Sequence, residues 1–356
     1  MGEKMLFNNG CNQQALFVYQ TLKNIKNITC YLFSNSNKKT FVGIPTYNIN
    51  SDVNFLCSMD IVISLSLFIK NIQGLALLKK NNVKLVYYNC GNILYIYKED
   101  IIFDSHKYIK SNSFDLFKNY SQFWVIPNYT KDIDFYKSIC DDKTHVYTAP
   151  YVWNTDIVNM NNNFNEICYN ISNTNNLTKY IIIAEANVQL TKNCLIPLLI
   201  ANNLYKIYKN IRIIVLAKPK TEAFNNFLQN LDIYKNKLIE VYDRLPFINI
   251  LLQMRNKNLD TYILSHQYDN PLNFLHLETL YLNYPLIHNS KPYKNAGYYY
   301  NTIQEGVQQL YNSFKNHSNN LDKYKKETAK VLKVFSPNNI NNQKIYKKYL
   351  DELILS

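Results

Sequence analysis

Short apolar runs alternating with amphipathic stretches occur in two series along this chain, and an asparagine-rich stretch separates them. In the first series the strand-like runs are Leu6-Phe7, Ile28 to Phe33, Asp60 to Leu65, Lys84 to Tyr88, Gln122 to Ile126 and His145 to Ala149. Each is followed by a polar turn and usually by residues at helical spacing, as in Gln14 to Leu22. A βαβα alternation of this kind predicts a parallel sheet with helices on its faces. In the second series the strands are Tyr180 to Ala184, Ile211 to Ala217, Leu238 to Tyr242, Thr261 to Ser265 and Pro285 to His288. Its helices are Leu195 to Tyr208, Glu222 to Asn230, Phe247 to Asn256 and Asn273 to Asn283. The expected organisation is a Rossmann-like domain over residues 1–158, a linker over 159–178, a second Rossmann-like domain over 179–320 and a helical tail over 321–356. The linker is expected because residues 159–176 are nearly all Asn, Ser, Thr and isolated apolar residues, which bury little.

Composition narrows the function classes. Lys and Arg number 39 against 26 Asp and Glu, a net charge of +13 that by itself suggests a nucleic-acid or anionic partner. Only Arg212, Arg244 and Arg255 are Arg, however, while Asn, Lys, Ile and Tyr crowd every row. Codons for those four are AT-rich, so genome base bias, such as a viral genome supplies, accounts for much of the Lys. With 47% hydrophobic residues the chain is able to bury a large core, which excludes wholesale disorder. No apolar run approaches the roughly eighteen residues of a membrane span. No signal-peptide core precedes residue 10, and seven scattered Cys form no CxxC pair. The expectation is a cytoplasmic protein with reduced thiols, in a host cytoplasm if the source is viral.

Open α/β sheets bind ligands beyond the carboxyl ends of their strands, so the candidate residues are sought in those loops. In the first domain, Asn8-Asn9-Gly10-Cys11-Asn12-Gln13 and Tyr88-Asn89-Cys90-Gly91-Asn92 stand there, each with a glycine in a chain that has 7. Gly10, Asn12, Gln13, Asn89, Gly91 and Asn92 are the expected substrate-facing residues, the glycines providing a left-handed turn or close backbone approach. In the second domain, Glu185 and Asn187 lead to Lys192 just before a helix, where a cation and free N–H groups suit a diphosphate. Arg244 follows the strand ending at Tyr242, and a guanidinium is a planar bidentate donor where Lys is the default cation.

The most informative segment runs from Ser265 to Leu280. A strand ends at Ser265, a polar loop follows, and a helix is expected near Pro271 with Asn270 as N-cap and Glu278 about two turns inside. A semi-buried carboxylate there needs a partner, and paired ribose hydroxyls provide one. His266, His276 and His288 are too far apart, on different elements, to predict a metal site, and each reads as a hydrogen-bonded histidine.

The segment from Asn270 to Glu278 resembles the donor-binding motif of GT-B glycosyltransferases, two Glu separated by seven residues, with Glu278 at the second position and Asn270 at the first. The likeness extends to the Gly10 to Gln13 loop, the Glu185 to Pro197 block, His266 to Glu278, and Ala296-Gly297-Tyr298-Tyr299 after the Pro285 to Ser290 strand. The resemblance implies two Rossmann-like domains facing across a cleft, with C-terminal helices crossing back. It implies a nucleotide-sugar-dependent glycosyltransferase, UDP-sugar among the donors, acting in glycan biosynthesis on a glycan, lipid-linked or protein acceptor. No cofactor and no catalytic metal are expected, the nucleotide-sugar being a co-substrate. Glu278 would bind the ribose, Lys192 with Arg244 the diphosphate, and Asn273, Glu185 and Asn187 would complete the donor site. Asn270 would stand at the donor sugar without a carboxylate's charge, so an inverting reaction would need a base from the first domain. Asp104 and His106, beyond the strand-like Asp100 to Phe103, are the residues available for it. The charge of +13 motivates a second reading, transfer to hydroxymethylated bases in DNA, and Asn270 a third, a non-catalytic sugar-nucleotide or glycan-binding protein. The Lys-rich segments Lys323 to Lys333 and Lys344 to Lys348 motivate a membrane-surface role.

Overall fold

The computed structural model describes residues 10–66, 72–104, 109, 113–160, 164–169, 178–187, 189–217, 221–243 and 245–355. The expected Leu6-Phe7 strand, His106 and Arg244 lie outside the described residues. The chain forms two units, residues 1–154 with 335–356 and residues 155–334.

The first unit contains β1 (Leu32–Ser34), β2 (Thr40–Phe41), β3 (Ile44–Asn48), β4 (Ile61–Leu65), β5 (Lys84–Asn89), β6 (Gln122–Val125) and β7 (His145–Thr148). Strands β4-β5-β6-β7 make one sheet, parallel throughout, and β1-β3-β2 a separate small one with β2 antiparallel to β3. Strands β5 and β6 are apolar on both faces and almost wholly buried, as a parallel sheet covered by helices requires. The last helix, Ile340–Leu355, belongs to this unit. Tyr346 explains why: it is fully buried, and its hydroxyl donates to Pro150 O at 2.7 Å and lies 3.0 Å from the Tyr88 hydroxyl.

The second unit is built on β8 (Lys179–Ile183), β9 (Ile211–Leu216), β10 (Ile239–Tyr242), β11 (Asp260–Leu264), β12 (Leu286–His288) and β13 (Tyr298–Tyr299). All six strands are parallel, in the order β10-β9-β8-β11-β12-β13. Counted within the unit this is the 3-2-1-4-5-6 order of a Rossmann sheet, whose direction of winding reverses between β8 and β11. Its core packs Ile181, Ile183, Ile213, Val215 and Leu264 against Leu198, Ala201 and Leu204 of helix Leu195–Ile207.

Several expectations are revised. The stretch 159–178 is not a free linker where it is described: Ile167 and Tyr169 are buried, and Tyr169 donates to Asp260 Oδ1 at 3.2 Å. A few apolar side chains suffice to hold an otherwise polar stretch to the second unit. The tail 321–356 divides, with helix Leu321–Phe335 ending where the chain passes from the second unit to the first. Asp100 to Phe103 is not strand-like but the last turn of helix Ile93–Phe103, in which Asp100 is buried and accepts from the N–H of Ile109 at 2.7 Å.

Candidate donor site at the sheet's switch point

The loops after β8 and β11 leave the sheet at its reversal, where Rossmann sheets open a ligand crevice. The first of these loops carries Glu185, 2% exposed. Asn187 has φ +51°, and its Oδ1 accepts the N–H of Cys194 at 2.8 Å, satisfying the residue that opens helix Leu195–Ile207. Lys192 closes the loop on Gln189 by a backbone bond of 3.0 Å. The carbonyl of Thr191 accepts from the N–H of Tyr268 at 3.3 Å and so ties this loop to the one after β11.

The second loop supplies the polar network. Gln267 is fixed by a reciprocal pair with Asn289: its N–H donates to Asn289 Oδ1 at 2.8 Å and its carbonyl accepts from Asn289 Nδ2 at 2.9 Å. Its Nε2 in turn donates to both oxygens of Glu185 at 2.8 Å. The Ser265 hydroxyl donates to Glu185 Oε1 and stands 2.7 Å from His276 Nε2. With the serine proton on Glu185, His276 must donate from Nε2, which leaves its Nδ1 to accept from Ser290 Oγ at 3.1 Å. The N–H of Ser290 donates to His288 Nδ1 at 3.2 Å, so His288 carries its proton on Nε2 and gives it to Ala296 O at 2.9 Å. Thus Ser290, His276 and Ser265 form a chain of donors that ends on one buried carboxylate.

The electrostatics follow from burial. Burial pushes the Glu185 carboxyl up to about 7, against the opposing pull of Ser265, Lys192, Gln267 and the His266 backbone N–H. Burial also lowers His266 and His288 to about 4 and holds His276 well below its usual range, so these imidazoles are neutral. Each of the three histidines is thus hydrogen-bonded.

The expected residues are only partly brought together. Glu185, Asn187 and Lys192 share one loop, and the Lys192 ammonium acts on both Glu185 and His276. Asn270 is not the N-cap. Helix Phe274–Tyr281 begins three residues later than expected, and its cap is Asn273, whose Oδ1 accepts from Leu275 N at 3.1 Å. The Tyr293 hydroxyl accepts the Asn273 N–H at 3.3 Å and helps set that start, while Asp269, at φ +54°, turns the chain before it. Glu278 therefore lies little more than one turn inside the helix; it is buried, as is Asn270. Ser265, Gln267, Ser290 and Asn289 were not expected at the site. Their sequence signal is a cluster of polar residues directly after fully apolar strand ends, together with His276 enclosed by Leu275 and Leu277.

In the first unit, Gly10, Asn12 and Gln13 stand in the first turn of helix Gly10–Lys23 and not in a loop, with Gln13 buried. Asn12 and Tyr19 line a cavity of about 570 Å³ together with Phe33, Phe41, Ile63 and Ile354. Asn89 and Asn92 are buried, and Asn92 caps helix Ile93–Phe103 through Tyr95 N at 3.1 Å. Gly91 needs neither a left-handed turn nor a close approach, because a Cβ there would meet only Ile96 Cδ1 at 3.8 Å. Gly297 needs both: at φ +72° a Cβ would come within 2.8 Å of Leu286 O. Asp104 is exposed and left-handed, ending helix Ile93–Phe103.

Two Rossmann-like units, with the closing helix returned to the first, give this chain the GT-B fold. Within that class it belongs to the family described as a protein of unknown function, DUF2827, whose model matches residues 1–350. No curated protein matches the sequence. An O-GlcNAc transferase from Thermobaculum terrenum, solved as a lysine-to-methionine mutant, matches with a TM-score of 0.56 at 8% identity, over 97% of this chain and 65% of that one. The lipopolysaccharide outer core galactosyltransferase WaaB, in its apo form, matches with a TM-score of 0.53 at 13% identity, over 94% and 96%. The pneumococcal O-GlcNAc transferase GtfA, solved with UDP and GlcNAc, gives a TM-score of 0.49 at 10% identity, over 87% and 61%. This chain spans between 55% and 65% of the length of the first four structures it matches.

Proposed function

We propose that this protein is a glycosyltransferase that takes a sugar from a nucleotide-sugar donor, a UDP-sugar by preference, and passes it to a glycan, lipid-linked or protein acceptor. The observation that carries the reading is the convergence of Glu185, Lys192, Ser265 and Gln267 at the winding reversal of a 3-2-1-4-5-6 sheet. Two structures of similar fold, an O-GlcNAc transferase and a galactosyltransferase, lend it further support.

In this reading the second unit holds the donor. The diphosphate lies by Lys192 at the start of helix Leu195–Ile207, with Arg244 as a further cation. Glu278 takes the ribose, and Asn187 and Asn273 hold the loop and helix that frame the site. Cations and helix N–H groups neutralise the leaving diphosphate, so we propose transfer without a catalytic metal or other cofactor. The acceptor falls to the first unit with Asn12, Gln13, Asn89 and Asn92, and Asp104 or His106 serves as base. Asn270, a neutral amide at the donor sugar, brings no carboxylate's charge there, and an inverting transfer takes its base from the first unit.

A thermal-shift screen against nucleotides and nucleotide-sugars tests this. A ligand at about a hundred times its dissociation constant adds about 2.7 kcal/mol. The expected result is stabilisation by one class of nucleotide-sugar, lost in Lys192→Ala and Glu278→Ala; no stabilisation by any of them refutes the reading.

A further inference from the structure

Gln267 makes an uneven set of contacts. Its Nε2 donates to both oxygens of Glu185, whereas its Oε1 is buried and accepts nothing. An orphaned acceptor in a residue 4% exposed is costly. The amide can serve either state of its neighbour. With Glu185 ionised, Nε2 faces the carboxylate, as observed. With Glu185 protonated, the amide turned over presents Oε1 to the new O–H, and Nε2 takes the place of Oε1.

The surroundings restrict which group takes up a proton here. Within its own loop Glu185 faces Lys192 and Cys194, the latter thiol pushed up to about 12 by burial. From the loop after β11 comes His266, and from helix Phe274–Tyr281 comes His276, with His288 of β12 acting on it in turn; burial keeps all three neutral. Beyond β13, Tyr300 is held well above its usual range by burial. Among the described groups of this cluster, Glu185 alone is poised to change charge near neutrality, and it does so beside Lys192.

We infer that Glu185 and Gln267 form a two-position proton store beneath an anion site at Lys192, so that a diphosphate binding there draws one proton from solvent onto Glu185. The inference deepens the donor-site reading and rests on it for the identity of the ligand. The balance is simple: an anion and one proton enter, the carboxylate becomes a carboxylic acid, and no covalent bond of the ligand changes. Glu185 is a positioning residue, acting on the ligand through the local charge and through Lys192.

Isothermal titration calorimetry of the full chain, in buffers of different ionisation enthalpy, reads proton uptake directly. Two probes are used because neither titrates between about pH 6 and 8.5: sulfate, and UDP-N-acetylglucosamine, whose diphosphate is a diester. For both, uptake should peak between the midpoints of Glu185 in the free and the bound protein, at about 0.4–0.7 of a proton, and fall away toward both the acid and the alkaline ends. Affinity should weaken about fivefold to thirtyfold across the range, as expected when one charge stands several ångströms from another at intermediate dielectric. Glu185→Gln should abolish the uptake and hold affinity near its acid-side value. Uptake that persists in Glu185→Gln overturns the inference, and so does sulfate that fails to bind or binds without protons. Independently of any variant, carbon-13 spectra of the glutamate carboxyls should show one with a midpoint near neutrality that moves upward with sulfate, and its absence is equally fatal. The two readings separate cleanly. Proton-linked sulfate binding without binding of any nucleotide-sugar sinks the proposed function alone, whereas nucleotide-sugar binding without proton uptake sinks the proton store alone.

Discussion

The two units spend their buried polar groups differently. In the first, the polar hub is the Tyr88 hydroxyl, which accepts from Gln14 Nε2 at 3.0 Å, donates to Pro150 O at 2.8 Å and meets Tyr346 of the final helix. Every one of those contacts fastens one element to another. In the second, the buried chain from Ser290 through His276 and Ser265 ends on a carboxylate at the sheet's reversal. Tyrosine and backbone carbonyl make a fastening whose charge does not change near neutrality; neutral imidazoles around a buried Glu make a site whose charge does. The difference is the physical reason for which the proposed donor site is sought in the second unit.

Acid should break the comparison most strongly. His266, His276, His288 and His317 all lie in the second unit and all have values lowered by burial. A histidine whose folded value lies below its unfolded 6.5 stabilises the fold above that pH and ceases to do so as pH falls toward the folded value. His288, fully buried and lowered to about 4, alone accounts for about 3 kcal/mol over that interval. Hydrogen exchange followed by mass spectrometry between about pH 6.5 and 4 should show residues 179–334 opening before the strands β4 to β7. Simultaneous opening of both would show that the histidines do not set the second unit apart.

Tyr346→Ala is the counterpart in the first unit. Removing a fully buried aromatic from the hub should cost about 3–5 kcal/mol, and Tyr346→Phe, which deletes only the hydroxyl, about 1 kcal/mol. Exchange should rise in helix Ile340–Leu355 and around β5, while β8 to β12 keep their protection.

Glu185→Gln carries a sign opposite to the histidine effect. Its folded value, about 7, lies above the usual 4.5, so its contribution is fully present below 4.5 and is lost as pH rises through 7. The variant, which has nothing to ionise, should therefore gain about 3 kcal/mol on the natural protein between about pH 4.5 and 8 in urea unfolding. A difference that stays constant with pH would mean that Glu185 is ionised throughout.

Much of this architecture was legible in the sequence, and the exceptions have physical causes. Helix Phe247–Asn256 and strands β4 to β7 and β8 to β12 stand within a few residues of their expected places, because long apolar runs bounded by polar turns have little choice. Strands β2 and β13, two residues each, carry too few side chains to show a period. In the loop after β8, Glu185, Asn187 and Lys192 are legible as a group because they are neighbours in one loop. Ser265, His276 and Ser290 were not, because what unites them is contact between a strand end, a helix and a second loop, which spacing along the chain does not encode. Gly91 misled for a related reason: glycine was scarce enough to look deliberate, yet the backbone demand falls at Gly297.

The start of helix Phe274–Tyr281 gives the smallest effect. Asn270-Pro271 carries a strong local start signal, yet the cap is Asn273, a second asparagine three residues on, whose N–H is also held by Tyr293 Oη. Asn273→Ala should thus cost about 1 kcal/mol of stability in the second unit, the usual worth of a side-chain cap, while Asn273→Asp should largely retain it. The helix carries Glu278 as well as His276, so fraying of its first turn should also loosen nucleotide-sugar binding in Asn273→Ala, and Asn273→Asp should restore it. If Asn273→Ala lowers stability and leaves nucleotide-sugar affinity untouched, Glu278 does not take its position from this cap, and the part assigned to that helix in holding the donor has to be given up.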